Sequence, residues 1–341
     1  MQYRRMGRTG LNLSEICLGT MTFGHGADQS ETDRILATSL DAGVNFFDNA
    51  NAYNGGVSET MLGRALGKHR QSVVIASKVF NPMGPGPNDS GMSRGHIMQA
   101  VEASLRRLGT DYLDLYYIHH VDTQTPLEEA MRAMDDLQRS GKVRYLGCSN
   151  FEAWRLMETV LISERDKIAR FECYQPQYSL VVRDIEEEII PVCDLKGFGV
   201  VVWSPLAGGY LAGKYRPNTA LPEGTRASEG WAFPQRFFHP KSDDILAALL
   251  DTASELGKTP AQIALRWVLD QPAITSAIVG ARNALQIADS LGAAGWRLPD
   301  DAMNRLTTLS ALPPRYPRAM EDGMAERRNA AIRRVPGAQP G

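Results

Sequence analysis

The sequence predicts a (β/α)8 barrel, a closed ring of eight parallel strands in which each strand is followed by a helix. Short runs rich in β-branched and aromatic residues alternate with longer segments of helical periodicity. There are eight such runs in a chain of 341 residues, and most are apolar at both parities, as is typical of parallel strands covered on both faces. Alternation alone also fits a doubly wound sheet, but eight units favour closure into a barrel.

The predicted elements follow one another through residues 1–312, which we expect to form one domain. The strands are predicted at 15–20, 44–48, 73–78, 112–119, 143–149, 171–175, 199–204 and 274–279. The helices are predicted at about 31–41, 57–67, 94–107, 127–139, 152–163, 184–196, 260–270 and 284–292. Ser93 is a typical N-cap, and Thr259 followed by Pro260 is a typical helix start.

Three segments interrupt the repeat. Residues 81–91 (NPMGPGPNDSG) have the composition of a loop after the third strand. Residues 205–240 predict a long active-site loop after the seventh strand, and its aromatic residues would either pack the loop or contact substrate. Those aromatic residues are Tyr215, Trp231, Phe233, Phe237 and Phe238. Residues 313–341 predict a C-terminal extension that is partly flexible, with a short helix near 321–333.

Composition restricts the classes of function. The formal charge is −2, from 37 basic and 39 acidic residues, which does not favour nucleic acid or an anionic membrane as a partner. The basic start of the chain is not followed by an apolar core, and no run is long enough to span a membrane, so we expect a cytoplasmic protein. The cysteines have neither paired nor metal-ligand spacing, which predicts buried free thiols and no metal site. They are Cys17, Cys148, Cys173 and Cys193.

Polar residues end the predicted strands. Asp48, Lys78 and His119 end the second, third and fourth strands. Each residue alone has a structural explanation, such as a helix cap, a solvent-exposed charge or a core histidine. Active sites of such barrels form where the strands end, however, and three ionisable groups that converge there must be paired if they lose water. The strand ends therefore predict a catalytic site.

At these positions the chain resembles the aldo-keto reductases. The resemblance covers about residues 3–312 and is closer to the bacterial and potassium-channel β-subunit branches than to mammalian aldose reductase. The matching segments are NFFDNANAY (45–53), ASK (76–78), DLYYIH (114–119), GCSN (147–150), YQ (174–175) and WSPLAGGYLAGKY (203–215).

This resemblance implies a catalytic tetrad of Asp48, Tyr53, Lys78 and His119. A carbonyl that accepts hydride develops negative charge on its oxygen and needs a proton donor, which would be Tyr53. Lys78 would favour the ionised phenol, Asp48 would hold Lys78 charged, and His119 would orient the carbonyl. Strand alternation predicts that the next side chain, that of His120, points the other way and has no catalytic role.

The resemblance also implies NADPH or NADP+ as cofactor, bound extended across the barrel mouth. Ser149, Asn150 and Gln175 would bind the carboxamide, Trp203 would stack on the nicotinamide, and Arg282 would favour the 2′-phosphate of NADP over NAD. The remaining residues implied are Thr20 and Met21 at the floor of the cofactor site, Asp48 as a further cofactor contact, Ser204, Pro205, Leu206, Ala207, Gly208, Lys214 and Arg226 at the pyrophosphate, and Gly280, Gln286, Asp289 and Ser290 at the adenosine.

Two departures from the family pattern affect this prediction. Ser290 replaces the usual Asn at the adenine, and the run at 49–52 (NANA) differs from the usual Thr-Ala-Asp/Glu-x, which we expect to alter only the rim of the site. Two alternatives to a general reductase of aldehydes or ketones stay open. One is a non-enzymatic NADPH-binding regulatory subunit, and the other is a dedicated sugar or nucleotide-sugar ketoreductase. The physiological substrate, the reaction direction and the oligomeric state are not predicted.

Overall fold

A computed structural model describes residues 1–214, 239–321, 323 and 324. Eight parallel strands close into a barrel, which confirms the predicted fold class. A short antiparallel hairpin, β1 (Tyr3–Arg5) with β2 (Asn12–Ser14), comes first and was not predicted, because strands of three residues carry too little pattern to be recognised. The barrel strands are β3 (Ile16–Gly19), β4 (Phe46–Asp48), β5 (Val74–Val79), β6 (Leu113–Ile118), β7 (Val143–Ser149), β8 (Phe171–Gln175), β9 (Gly199–Val202) and β10 (Ile274–Gly280).

Neighbouring barrel strands follow the order of the sequence, and the ring closes where β10 pairs with β3. All eight strands agree with the predicted segments within two residues at each end. The agreement follows from burial, since every residue of β4, β5 and β6 is buried. The carboxyl ends of the strands thereby meet at one mouth of the barrel.

Helices surround the barrel. They are α1 (Gln29–Asp41), α2 (Val57–Leu66), α3 (Arg94–Leu108), α4 (Leu127–Arg139), α5 (Ala153–Asp166), α6 (Ile189–Lys196), α7 (Ser242–Leu256), α8 (Pro260–Leu269), α9 (Ala284–Leu291) and α10 (Asp300–Leu309). Ser93 and Thr259 cap α3 and α8 as predicted, each accepting a hydrogen bond from a backbone N–H of the first turn. Seven of the predicted helices agree with the structure within three residues.

The single helix predicted at 184–196 is wrong. The chain forms a 3-10 turn at Asp184–Glu186 and begins α6 only at Ile189, because Glu188 has a non-helical conformation. Pro191 lies in the first turn of α6, the one part of a helix where its missing N–H costs nothing, so the helix starts just before it. Helices α7 and α10 were not predicted; α10 buries only Ala302 and Leu306 and therefore has a weak apolar pattern.

The barrel interior is filled beneath the mouth. Cys17, Phe46, Leu115, Tyr117 and Cys173 form one apolar cluster there, together with residues of the hairpin region. A side chain on Gly147 would come within 2.6 Å of the Tyr117 ring, so the glycine is what lets this tyrosine lie across the interior. The four cysteines are free thiols and all are buried. The floor of the barrel mouth is consequently closed to water.

The chain divides into two units, Met1–Ser310 and Ala311–Gly341. Most of the second unit, including the helix predicted near 321–333 apart from residues 321, 323 and 324, lies outside the described residues. The aromatic residues predicted in the long loop, from Tyr215 to Phe238, also lie outside them. Among the helices that the structure describes, none is long and apolar enough to cross a membrane.

Candidate active site

A buried lysine lies at the centre of the barrel mouth. The Lys78 side chain is 0% exposed and pairs with Asp48, which is 2% exposed. Its ammonium has three N–H groups, and each has an acceptor: Asp48 Oδ1, Asn49 O at 2.7 Å and the Tyr53 hydroxyl at 3.3 Å. The ammonium is thus fully hydrogen-bonded although it is removed from water.

The charge of Lys78 is maintained by its partners. Burial acts most strongly on its pKa and lowers it, but the Asp48 carboxylate and Tyr53 together outweigh burial, and the pKa of Lys78 is raised above its ordinary value. The side chain therefore remains an ammonium near neutral pH, with its third N–H directed at the phenol oxygen of Tyr53.

A tight turn holds Tyr53 in position. The tyrosine begins a 3-10 turn, Tyr53–Gly56, in which Asn54 has a left-handed backbone with φ 50°. The Asn54 side-chain amide donates to the carbonyls of Met21 at 3.1 Å and Phe23 at 2.6 Å, which ties this turn to the loop after β3. At Gly56, with φ 91°, a side chain would meet Arg107 within 2.7 Å. Tyr53 is therefore fixed from both sides of its loop.

The residues before Tyr53 were expected to alter only the rim of the site, but residues 49–52 do not lie at the rim. Asn49 and Asn51 are both 0% exposed, because the chain passes behind Lys78 and not over the mouth. The Asn51 backbone N–H donates to the Lys78 carbonyl at 3.2 Å. Among the described residues, neither polar atom of the Asn51 side chain has a hydrogen-bond partner. The departure from the family pattern is therefore a feature of the site's interior.

His119 lies beside Tyr53. Their rings meet edge to face, with centroids 6.1 Å apart. The Asn81 amide lies 3.4 Å from His119 Nδ1, which leaves Nε2 as the nitrogen without a protein partner among the described residues. Burial, followed by the charges of Lys78 and His120, lowers the pKa of His119 to about 2. His119 is accordingly a neutral imidazole at physiological pH.

The expectation that His120 points away from the site is wrong. Its ring stacks on His119, with centroids 4.5 Å apart and an interplanar angle of 15°, and both rings line the same cavity. Alternation fails because β6 ends at Ile118, so both histidines belong to the turn that follows the strand. Burial and the charge of Lys78 lower the pKa of His120 also.

Asn150 connects the ends of three strands. The Trp203 indole N–H donates to Asn150 Oδ1 at 3.1 Å. The Asn150 amide nitrogen donates to the His119 carbonyl at 3.0 Å and to Ser149 Oγ at 3.0 Å, while the Ser149 hydroxyl donates to the Gln175 carbonyl at 2.7 Å. Ser149 and Asn150, which were predicted to bind a carboxamide, therefore already have hydrogen-bond partners within the protein. Asn150 has a left-handed backbone, with φ 62°, and its side chain links the strand ends at the barrel mouth.

Gln175 contacts the tetrad directly. Its Nε2 donates to Asp48 Oδ2 at 2.8 Å, so both oxygens of the carboxylate are occupied, one by Lys78 and one by Gln175. A carboxylate accepts only, so the amide must present its nitrogen to Asp48. The amide oxygen and the second N–H of Gln175 are then available to a ligand, since the residue also lines the cavity.

The cavity at the mouth measures about 590 Å³ and is lined by most of the predicted site residues. Two predicted residues in the described part do not line it: Lys78, which lies beneath Asp48 and Tyr53, and Ala207, which is 3% exposed and directs its N–H to the Ser204 carbonyl. The predicted residues that line it are Thr20, Met21, Asp48, Tyr53, His119, Ser149, Asn150, Gln175, Trp203, Ser204, Pro205, Leu206, Gly208, Lys214, Gly280, Arg282, Gln286, Asp289 and Ser290. Arg226 lies outside the described residues.

Other cavity residues were missed. Ile278, Val279 and Ala281, which flank the predicted Gly280 at the end of β10, follow the same strand-end rule as the tetrad and could have been found with it. Gly209, Ala212, Thr259 and Ala261 lie on turns and helix starts that carry no comparable signal. The remaining missed residues are Gly19, Thr22 and His120. No cluster of potential metal ligands occurs among the described residues.

One end of the cavity is formed by α9 and the loop before it. The Arg282 side chain lies against Gly26, where an added Cβ would approach it to 3.0 Å, and its backbone N–H donates to Gln286 Oε1 at 2.9 Å. Asp289 accepts from Gln262 through its carbonyl at 2.9 Å and its carboxylate at 3.1 Å. The arrangement brings a guanidinium and a helix start to the same end of the cavity.

Comparisons with known proteins agree with this architecture. The model of the Aldo/keto reductase family matches residues 15–311. The uncharacterized oxidoreductase YrpG of Bacillus subtilis is 38% identical over 320 residues, which are 91% of this chain and 96% of that protein. A probable voltage-gated potassium channel subunit beta of Arabidopsis thaliana is 39% identical over 86% of this chain and 91% of its own length. The versiconal hemiacetal acetate reductase of Aspergillus parasiticus is 32% identical over 95% and 99%.

Proposed function

The chain belongs to the aldo/keto reductase family of oxidoreductases, and on that premise we propose that it reduces aldehydes or ketones with NADPH, using Tyr53 as the general acid. The observation that carries this proposal is the contact between the buried Lys78 ammonium and the Tyr53 hydroxyl at 3.3 Å. An ammonium that is paired with Asp48 and aimed at a phenol oxygen stabilises the phenolate that proton donation leaves behind.

The residues have distinct parts in this mechanism. When bound, NADPH supplies the hydride that adds to the carbonyl carbon. The carbonyl oxygen becomes negatively charged and accepts the proton of the Tyr53 hydroxyl. One hydride and one proton thereby convert the carbonyl to an alcohol. His119, neutral and with Nε2 toward the cavity, donates a hydrogen bond that orients the carbonyl and does not compete as an acid.

The chemistry of the cavity wall fits a phosphorylated dinucleotide. Arg282 and Lys214 supply cations for phosphate groups, and the turn from Ser204 to Gly209 contains four residues with positive φ, which brings backbone close to the cavity. The acceptor oxygen of Gln175 suits the amino group of a carboxamide. We propose that the cofactor contacts Thr20, Met21, Asp48, Ser149, Asn150, Gln175, Trp203, Ser204, Pro205, Leu206, Gly208, Lys214, Arg226, Gly280, Arg282, Gln286, Asp289 and Ser290, and that the buried Ala207 supports this turn from behind.

A second candidate function comes from the relatives named as potassium channel β-subunits. In it, the chain would bind NADPH as a regulatory subunit without turnover. The hydrogen-bonded set of Asp48, Tyr53 and Lys78, with His119 beside it, favours the enzyme, because a binding protein has no need of a fully paired buried ammonium directed at a phenol.

The proposal is tested by following NADPH oxidation against aldehydes, α-dicarbonyls, keto-sugars and ring ketones. We expect turnover with several of them and a preference for NADPH over NADH of at least tenfold. Arg282→Ala should raise the KM for NADPH about tenfold or more, because bonds from a guanidinium to a phosphate contribute about 1.5–3 kcal/mol, while the KM for NADH should stay unchanged. Arg64→Ala, an exposed arginine of α2 away from the cavity, is the matched control. NADPH binding without oxidation by any carbonyl would favour the regulatory subunit instead.

A further inference from the structure

The two histidines after β6 form one wall of the cavity. The rings of His119 and His120 stack 4.5 Å apart at 15°, and the rings of His120 and Phe80 meet edge to face, with centroids 5.3 Å apart. Three rings in a row hold His120 in place without any hydrogen bond from its Nε2 within the described part of the chain. The proposed mechanism uses only His119, so the second imidazole needs a separate explanation.

The hydrogen bonds around Asn150 determine how His120 is protonated. An indole N–H can only donate, so the contact from Trp203 Nε1 at 3.1 Å identifies the Asn150 atom that it meets as the oxygen. The Asn150 amide nitrogen then faces the His119 carbonyl at 3.0 Å and His120 Nδ1 at 3.5 Å. The two hydrogens of this amide are directed at the His119 carbonyl and at Ser149 Oγ, both at 3.0 Å, and an amide nitrogen does not accept hydrogen bonds. A proton on His120 Nδ1 would therefore have no acceptor at this contact, and we assign the proton of His120 to Nε2.

The cavity therefore offers two imidazole N–H donors in parallel. His119 Nδ1 lies against Asn81 at 3.4 Å, and its Nε2, like that of His120, has no partner among the described residues. Both side chains line the cavity. Burial and the charge of Lys78 keep the two rings neutral, so the donors suit neutral oxygens. A substrate with a single carbonyl oxygen can satisfy one of them only.

We propose that His120 recognises a second oxygen of the substrate, next to the reacting carbonyl, so that α-dicarbonyls and α-hydroxy ketones are preferred over simple alkyl carbonyls. The inference rests on the function proposed above and specifies its substrate class. Oxygens on adjacent carbons are about 3 to 4 Å apart, and donors on rings 4.5 Å apart can each reach one at about 2.9 Å. A simple ketone leaves the His120 donor desolvated and unpaired, which disfavours it.

The test compares 2,3-butanedione and acetoin with 2-butanone, with the wild-type protein and NADPH. These ketones differ in intrinsic reactivity, so the measured quantity is the ratio of kcat/KM values between an α-oxygenated ketone and 2-butanone, and its change on mutation. His120→Phe keeps the stacking and removes the donor, and we expect it to reduce the ratio about tenfold while kcat/KM for 2-butanone does not fall. His120→Gln keeps an N–H donor and should retain most of the preference.

Phe80→Tyr is the matched control, because it changes a ring of the same stack while it keeps the ring contact to His120 and removes no donor, and its ratio should stay within about twofold of the wild type. A His120→Phe ratio within twofold of the wild-type value would overturn the inference and leave the proposed reductase intact. An equal loss in His120→Gln and His120→Phe would overturn it as well, because shape and not donation would then set the preference. Turnover of simple aldehydes but of none of the three ketones would overturn this inference alone, whereas NADPH binding with no turnover of any aldehyde or ketone would overturn the proposed function and this inference with it.

Discussion

Neutralising Asp48 should both destabilise the protein and abolish its activity. In Asp48→Asn, Lys78 stays 0% exposed but loses its ion-pair partner. Removing one partner of a buried ion pair costs about 3–5 kcal/mol. The same magnitude follows from the pKa, because burial alone lowers that of a lysine by up to about 3–5 units and each unit costs about 1.4 kcal/mol while the pH lies below the lowered value. At pH 7 the lysine can escape part of this cost by losing its proton, which limits the cost to the interval between pH 7 and the unfolded pKa of about 10.4, or about 4–5 kcal/mol. We therefore expect a loss of about 4 kcal/mol at pH 7.

The double variant Asp48→Asn/Lys78→Met separates this ion-pair effect from general damage. It contains no buried charge, so its free energy of unfolding should exceed that of either single variant by at least about 2 kcal/mol. Denaturant unfolding, followed by tryptophan fluorescence at an unchanged m-value, measures all four proteins. All three variants should lack carbonyl reductase activity. The reasoning would be refuted if the double variant lost as much free energy of unfolding as the two single variants together. It would also be refuted if Asp48→Asn lost less than about 1 kcal/mol.

Two further predictions concern neighbours of the ion pair. Because the pKa of His119 is about 2 in the folded protein, the unfolded chain binds more protons below about pH 6.5, and the free energy of unfolding should fall as the pH decreases from there. In denaturant titrations, His119→Asn should reduce this loss between pH 6.5 and 5 by about 1.5 kcal/mol. An equal pH dependence in His119→Asn and in the control His69→Asn would contradict the assignment. Removing the 2.8 Å hydrogen bond from Gln175 to Asp48 in Gln175→Met should lower kcat/KM about tenfold. Gln175→Glu should lower it further, because it places a second carboxylate beside Asp48. Steady-state kinetics in which Gln175→Glu is the milder change would count against this positioning role.

The barrel and three of the four tetrad residues could be predicted from the sequence for the same reason. Strands buried on both faces appear as apolar runs, and a polar residue that ends such a run, as Asp48, Lys78 and His119 do, must lie at the mouth. Tyr53 follows a turn and carries no strand-end signal, so only the family resemblance identified it. Its fixed position comes from Asn54 and Gly56, whose left-handed backbone could not be read from their neighbours.

The errors also have physical causes. His120 was assigned away from the site by alternation, which holds only while the strand continues, and β6 ends at Ile118. Asn49 and Asn51 are polar and were expected at the rim, but the chain folds behind Lys78 and buries them. The engagement of Asn150 by Trp203 depends on contacts between residues 53 positions apart, which no local pattern contains.

The central claim is that Tyr53 donates the proton to the carbonyl oxygen. Tyr53→Phe keeps the ring beside His119 and removes only the hydroxyl that Lys78 contacts. Single-turnover kinetics of this variant with saturating NADPH and 2,3-butanedione test the claim most directly. We expect NADPH to bind with a Kd within about threefold of the wild type, while the rate of its oxidation falls by at least about a hundredfold, in the range of general acid catalysis. Oxidation at the wild-type rate would contradict the account.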